Sequence, residues 1–399
     1  MKKILMLGGS IYQTFAIRKA VEMGYYVITC DYLPENPGHK FAHEYYNIST
    51  TNKDAVLKLA RELKVNGVVA YASDPAAPVA AYVCEQMGLP TSPFQSVNIL
   101  SNKDLFREYL KKHNFVVPKA KGYSNYKEAL SEIDQFQLPV MVKPVDSSGS
   151  KGINKLTDIS MLEDCVADAL SYSRSGRFII EEFITKKGWQ ISGDAFSVNG
   201  KLVFHCFGNE YYNAKGKKDF APIGECWPFM MDTHYIDILT DELQRLITLL
   251  GMKSTAYNVE AIVDQNDNVY ILELGARSGG SLIPQITQYA TGVDMVPYVI
   301  KAALGEDCSQ LKMAPTRGCW ANYMVHSKST GTFKKIWLAP EFEEKHLVEF
   351  VTELHTGDHV KEFRDAQDAL GEMILKFDNT DQMFKMLEHM DDYVKVLIE

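Results

Sequence analysis

The 399-residue chain is 46% hydrophobic and 23% charged, an ordinary globular make-up, and its length calls for two to four packed subdomains rather than one core. A net charge of −9 and a pI near 5.7 argue against a general nucleic-acid or membrane-surface partner, both of which need a basic field. Seven cysteines without close pairs read as the reduced thiols of a cytoplasmic protein, and no apolar run nears the roughly 20 residues of a membrane span.

In chain order, Met1-Lys2-Lys3 and the short run Ile4 to Leu7 stop at Gly8-Gly9, so this start reads as a first β-strand and not as a signal peptide. An amphipathic segment from Gln13 to Met23 follows, then Tyr26 to Cys30 ending on Asp31, a helix from Lys53 to Leu63, and the strand Gly67 to Ala70. Strand–helix alternation of this kind predicts a parallel sheet with crossover helices over residues 1–100. Gly8-Gly9-Ser10 lacks the second half of a Gly-x-Gly-x-x-Gly fingerprint, which argues against a nicotinamide dinucleotide site at Asp31.

Gly88-Leu89-Pro90 closes a further helix, and Ser101-Asn102-Lys103 opens another through about Lys112. After Pro118 the pattern is mixed α+β: strands Val140 to Lys143 and Phe178 to Ile180 flank a Ser- and Gly-rich loop. Strands Tyr257 to Val263 and Val269 to Leu274 are joined by Asp264-Gln-Asn-Asp-Asn268, a hairpin turn. From about Leu311 the chain is β-rich, and it ends in an expected polar helix from Asp381 to Val396.

Four local features carry chemistry. Lys143 ends a strand and leads into Ser147, Ser148, Gly149, Ser150 and Gly152, a loop able to turn amides and hydroxyls onto phosphate oxygens. It is not a Walker loop, because the lysine precedes the glycines. Glu181-Glu182-Phe183-Ile184 ends a strand as a nucleotide hinge would, with Gln190 in reach of ribose hydroxyls. Glu260 and Glu273 sit on the two hairpin strands, where facing carboxylates repel unless a cation lies between them. Magnesium suits such an oxygen site, with manganese as the alternative. Arg277, in Gly275-Ala-Arg-Ser-Gly-Gly-Ser281, is placed to stabilise charge on a transferring phosphoryl group. Each feature also has a plain reading: a turn, a solvated strand end, an exposed carboxylate, a surface arginine. Their order along one chain is what chance does not easily supply.

That order resembles the ATP-grasp superfamily, which includes biotin carboxylase, the carbamoyl phosphate synthetase large chain, glycinamide ribonucleotide synthetase and L-amino-acid ligases. The resemblance covers nearly the whole chain. It implies an α/β and α+β architecture: a pre-ATP-grasp parallel-sheet domain (1–100), an ATP-grasp domain (101–308, its small subdomain about 120–185) and a small β-rich C-terminal domain (309–399). It places Lys103 and Lys143 on the phosphates of ATP, the Ser/Gly loop as phosphate cover, Glu181 to Ile184 at the adenine, and Glu260 and Glu273 on magnesium. Arg277 becomes the active-site arginine. Two positions depart from the pattern: Gly275 stands where many members carry a metal-binding asparagine, and Gln190 where a ribose-binding glutamate is usual.

The implied reaction joins a small carboxylate to an amine through an acyl phosphate, with an amino-acid-type substrate leading. A purine-pathway ligase is the alternative, and it would need an Arg/Lys cluster for a ribose phosphate. An inactive ATP-binding regulator is the other, against which the retained lysines, glutamates and Arg277 speak. A homodimer is a common arrangement of such proteins. His205, Glu210 and Glu225 lie in a polar stretch between hinge and hairpin where a substrate loop is expected, each with a structural reading beside the selective one.

Overall fold

The computed structural model describes residues 1–212 and 221–399. Strands β1 (Lys3–Leu7), β2 (Tyr26–Asp31), β3 (Glu44–Asn47) and β4 (Gly67–Val69) form an all-parallel sheet in the order β3-β2-β1-β4. Its strands are apolar on both faces because both are covered. Leu5, Leu7, Ile28 and Cys30 pack on the helices Lys53–Leu63 and Ala77–Met87. Ile4, Met6 and Val27 pack on Ile11–Glu22 and Val296–Ala303. The first helix begins two residues before the expected Gln13, since the Ser10 amide donates to Gln13 Oε1 at 2.8 Å. Asp31 braces the glycine turn instead of facing a ligand: it accepts from the Gly9 amide at 3.1 Å and from Asn36 Nδ2 at 2.7 Å.

A smaller antiparallel sheet, β5 (Ala120–Tyr123), β6 (Val140–Pro144), β7 (Asn154–Leu156) and β8 (Phe178–Glu182), runs β5-β8-β6-β7. Val140, Val142, Phe178 and Ile180 pack there on the helix Leu162–Ser171 through Leu162, Cys165, Val166 and Ala169.

The largest sheet takes β9 (Gln190–Val198), β10 (Lys201–Tyr212), β11 (Pro222–Trp227), β12 (Thr255–Val263) and β13 (Val269–Gly275) from the middle of the chain. The C-terminal part adds to it β14 (Cys319–His326), β16 (Leu347–Val351) and β18 (Ala369–Phe377), while β15 (Gly331–Leu338), β17 (His359–Val360) and β19 (Val394–Ile398) form a separate three-stranded sheet. The eight-stranded order is β13-β12-β9-β10-β11-β14-β18-β16, so the expected division at 308/309 falls between strands of one continuous sheet. Period-two alternation gives this sheet two unlike faces. Tyr257, Val259 and Ala261 of β12 lie under the helix His234–Leu249, while Asn258 and Glu260 point the other way.

The polar helix expected over 381–396 is a correction. Helices span only Thr380–Leu387 and Met390–Tyr393, and Val394–Ile398 is a strand paired antiparallel to β15. Val394, Val396 and Ile398 alternate with exposed Lys395 and Leu397, a period of two that the helical reading passed over. No helix among the described residues is long and apolar enough to cross a membrane.

Candidate active site

Two connected cavities lie between the small sheet and the polar face of the large one, sharing Ser150, Ile153, Glu210, Pro222 and Glu260. The first, about 190 Å³, has apolar walls from Met141, Ile153, Phe183, Ile184, Ile262 and Leu272, with Lys143, Glu181, Glu182 and Gln190 at its polar edge. A flat ring with one polar edge suits such a slot. Glu181 is buried, accepting from Arg107 Nε at 3.0 Å and from Lys143 Nζ. Burial alone would raise its carboxyl, but Arg107 and then Lys143 outweigh burial and hold it at about 2. The pair fixes Lys143 at the mouth of the slot. The Glu182 and Phe183 amides are spent on the carbonyls of Lys119 and Pro139, at 2.9 and 3.1 Å.

The second cavity, about 350 Å³, is lined by Asp74, Lys103, Ser147 to Lys151, Glu260, Glu273, Arg277 and Gly280, among others. In the β12–β13 register Glu260 stands directly opposite Glu273. Burial, then Glu210 and Glu273, push the Glu260 carboxyl well above its usual range, and a cation between the glutamates would remove that repulsion. Lys103 Nζ lies 3.2 Å from Glu273 and donates to the Ser147 carbonyl at 2.8 Å; Gln190 Nε2 lies 3.4 Å from Glu260. Among the described residues no three His, Cys, Asp or Glu are grouped to hold a metal by themselves. Two facing carboxylates fit magnesium or manganese, which keep waters and share phosphate oxygens.

The loop 147–152 covers this cavity. Gly149, Ser150 and Gly152 have φ of +68°, +60° and +68°, and the Gly149 carbonyl accepts from the Ala366 amide at 3.3 Å. A Cβ at Gly152 would come within 2.9 Å of Tyr172, so the loop needs both the left-handed backbone and the space.

Arg277 is clamped by Asp74, donating from Nε at 2.8 Å and from Nη2 at 2.6 Å. The residue at 275 follows from this clamp: a Cβ there would stand 3.1 Å from Asp74 Oδ1 and 3.4 Å from Arg277 Nε. The Asp74–Arg277 pair takes up the space a larger side chain would need, and Gly275 leaves it free. Asp194, fully buried on β9, accepts from the Gly279 amide at 2.9 Å and from Asn258, tying down the glycine turn; burial lifts its carboxyl to about 7.

The expected substrate loop at His205, Glu210 and Glu225 is a second correction, and part of that stretch, 213–220, lies outside the described residues. All three sit on strands, β10 and β11. His205 stacks on Phe207 at 4.7 Å and lines neither cavity, and burial holds its imidazole down at about 4. Glu210 and Glu225 face each other across β10–β11 and line the second cavity. Sequence reasoning missed Tyr12, Asp74, Asp194 and Glu372. Asp74 carried a usable signal, because it follows a strand of the parallel sheet at its carboxyl end, where ligands gather in such sheets. Glu372 carried none, since only pairing of β18 with β14 brings it here.

Residues 102–311 match the family described as carbamoyl-phosphate synthase L chain, ATP binding domain. A D-alanine–D-alanine ligase of Parabacteroides distasonis is 26% identical over 218 residues, 51% of this chain and 64% of that protein. The chain spans less than two thirds of the length of the first curated relatives it matches. An L-amino acid ligase from Bacillus licheniformis superposes with a TM-score of 0.85 at 19% identity, over 100% of this chain and 99% of that one. A phosphoribosylglycinamide synthetase from Anaerococcus prevotii gives 0.75 at 22%, over 100% of both. At these identities the likeness is one of fold.

Proposed function

We propose that this chain, which belongs to the carbamoyl-phosphate synthase L chain ATP-binding family of ATP-grasp proteins, is a ligase that joins a carboxylate to an amine at the expense of ATP. The observation that carries this reading is the second cavity, where Glu260 faces Glu273, with Lys103 and the Asp74-clamped Arg277, beside an apolar slot. The base of ATP would lie in the slot against Phe183 and Ile184, with Glu181 and Glu182 at its edge and Gln190 toward the ribose. Lys143, held by Glu181, and Lys103 would meet the phosphates, under the cover of Ser147, Ser148, Gly149, Ser150 and Gly152. Glu260 and Glu273 would hold magnesium, which when bound neutralises charge between the phosphates.

The chemistry follows from those positions. A substrate carboxylate oxygen attacks the γ-phosphorus, the bond to the β-bridging oxygen breaks, and ADP leaves with that electron pair. The amine nitrogen then attacks the acyl carbon, inorganic phosphate departs, and the nitrogen loses a proton. Arg277 steadies the acyl phosphate, and the loop at 147–152 keeps water from hydrolysing it. Glu273→Ala is expected to abolish acid-dependent ADP release with an unchanged circular dichroism spectrum. Full activity in that variant would sink the assignment.

A further inference from the structure

Glu225 on β11 and Glu372 on β18 flank β14 in the sheet order, and both line the second cavity. They are 8% and 3% exposed. Each has one oxygen satisfied by a hydroxyl of the chain: Ser192 Oγ donates to Glu225 Oε1 at 3.0 Å, and Tyr12 donates to Glu372 Oε1 at 2.9 Å, with the Ser281 hydroxyl also close to Glu372. The second oxygen of each, Oε2, is buried and has no hydrogen-bond partner among the described residues. A buried carboxylate oxygen without a donor is a cost that folding alone does not explain. Two in one cavity, with Glu210 opposite Glu225, are unpaired acceptors waiting for a donor that carries positive charge. Burial pushes Glu225 up to about 8 and Glu372 up to about 7, the response of carboxyls that lack a cation.

Among the described residues, five glutamates and Asp74 line this cavity against Lys103, Lys151 and Arg277, and both Lys103 and Arg277 already face carboxylates. A ribose phosphate would add negative charge to an acidic wall. Unlike Glu260 and Glu273, which are register partners, these two glutamates lie on strands separated by β14 and do not face each other as a metal-ligating pair. A primary ammonium has three donors on one small charge and suits acceptors presented from separate strands.

We infer that Glu225 and Glu372, beside Glu210, form a subsite for a primary ammonium group, which places the substrate acid among amino acids. The substrate assignment rests on the ligase reading; the cation subsite does not.

The test has two arms. In the first, thermal unfolding of the full chain without nucleotide is followed in methylammonium chloride, with tetramethylammonium chloride and sodium chloride at equal ionic strength as controls. Methylammonium is expected to raise the midpoint of the wild type above both controls. It should not do so in the Glu225→Gln/Glu372→Gln double variant, in which amides keep the acceptors for Ser192 and Tyr12. The single variants guard against misfolding: each replaces a buried carboxyl that burial already disfavours in its charged form by a neutral amide of the same shape, and is expected to melt no lower than the wild type. Equal midpoints in all three salts, or equal protection of the double variant, would overturn the subsite. In the second arm, ADP release under MgATP is compared between amino acids and their des-amino acids, such as alanine against propionate. Amino acids are expected to lead by at least about tenfold in kcat/KM, the worth of a hydrogen bond to a charged group. Equal rates would overturn the substrate class while leaving the ligase reading intact. No ADP release with any acid would count against the ligase reading, and the methylammonium arm would still decide the subsite.

Discussion

Replacing Glu181 by glutamine removes the carboxylate that holds both Arg107 and Lys143 beside the apolar slot. Glu181 and Arg107 are each 4% exposed at the side chain, so neither partner can turn to solvent when the other is lost. A carboxyl held at about 2 instead of the usual 4.5 corresponds to about 3 kcal/mol of folding free energy at pH 7, at about 1.4 kcal/mol for each pH unit. Breaking a buried pair by removing one member typically costs about 3–5 kcal/mol, because the other charge is left uncompensated. The pH dependence has a definite sign. The folded-state value is depressed, so the stabilisation is fully present above about 4.5 and is lost as pH falls toward 2. Urea unfolding followed by circular dichroism at pH 7.5, 5 and 3 would therefore show a deficit of about 3 kcal/mol in Glu181→Gln at the two higher values. At pH 3 the deficit should be clearly smaller. A variant as stable as the wild type at pH 7.5, or a deficit unchanged at pH 3, would refute the reasoning.

Two further substitutions probe the phosphate end of the site. Gly275→Asn would restore the asparagine usual in similar proteins, but its Cβ would press on Asp74 and Arg277 at 3.1 and 3.4 Å, so both thermal midpoint and ADP release are expected to fall. A gain in activity would show that the clamp yields to a new ligand. Asp74→Asn takes away one partner of a two-point ion pair with Arg277. Acid-dependent kcat is expected to drop by about tenfold or more, with little change in the KM for ATP, and an unchanged kcat would remove Arg277 from the chemistry.

How much of this was legible beforehand depended on the reach of each signal. Lys103, Lys143 and the glycine loop stand at element ends where periodic sequence breaks, and local sequence suffices to see that. The β12–β13 hairpin was legible too, since a five-residue turn joins its strands and sets the pairing next to it, but a one-residue shift between Glu260 and Ala261 is what brings Glu260 opposite Glu273. The C-terminal strand was missed because five residues after a helix give too short a run for the period of two to stand out against the helical pattern preceding it.

What the sequence by itself determined, then, was which residues stand at the end of the site proposed for the nucleotide. Its groups lie within short segments whose spacing is fixed by strand and turn geometry. Only the tertiary structure decided the rest. Asp74 meets Arg277 across 203 residues, and Glu181 meets Arg107 across 74. Glu225, Glu372 and Tyr12 share one wall because β14 and β18 extend the central sheet and the parallel sheet packs alongside. Burial and facing charge decide what a carboxylate does, and both are set by neighbours distant in sequence. Glu181 is thus a buried anchor of two cations, and Glu225 and Glu372 are acceptors left open, although each reads locally as an ordinary glutamate on a strand.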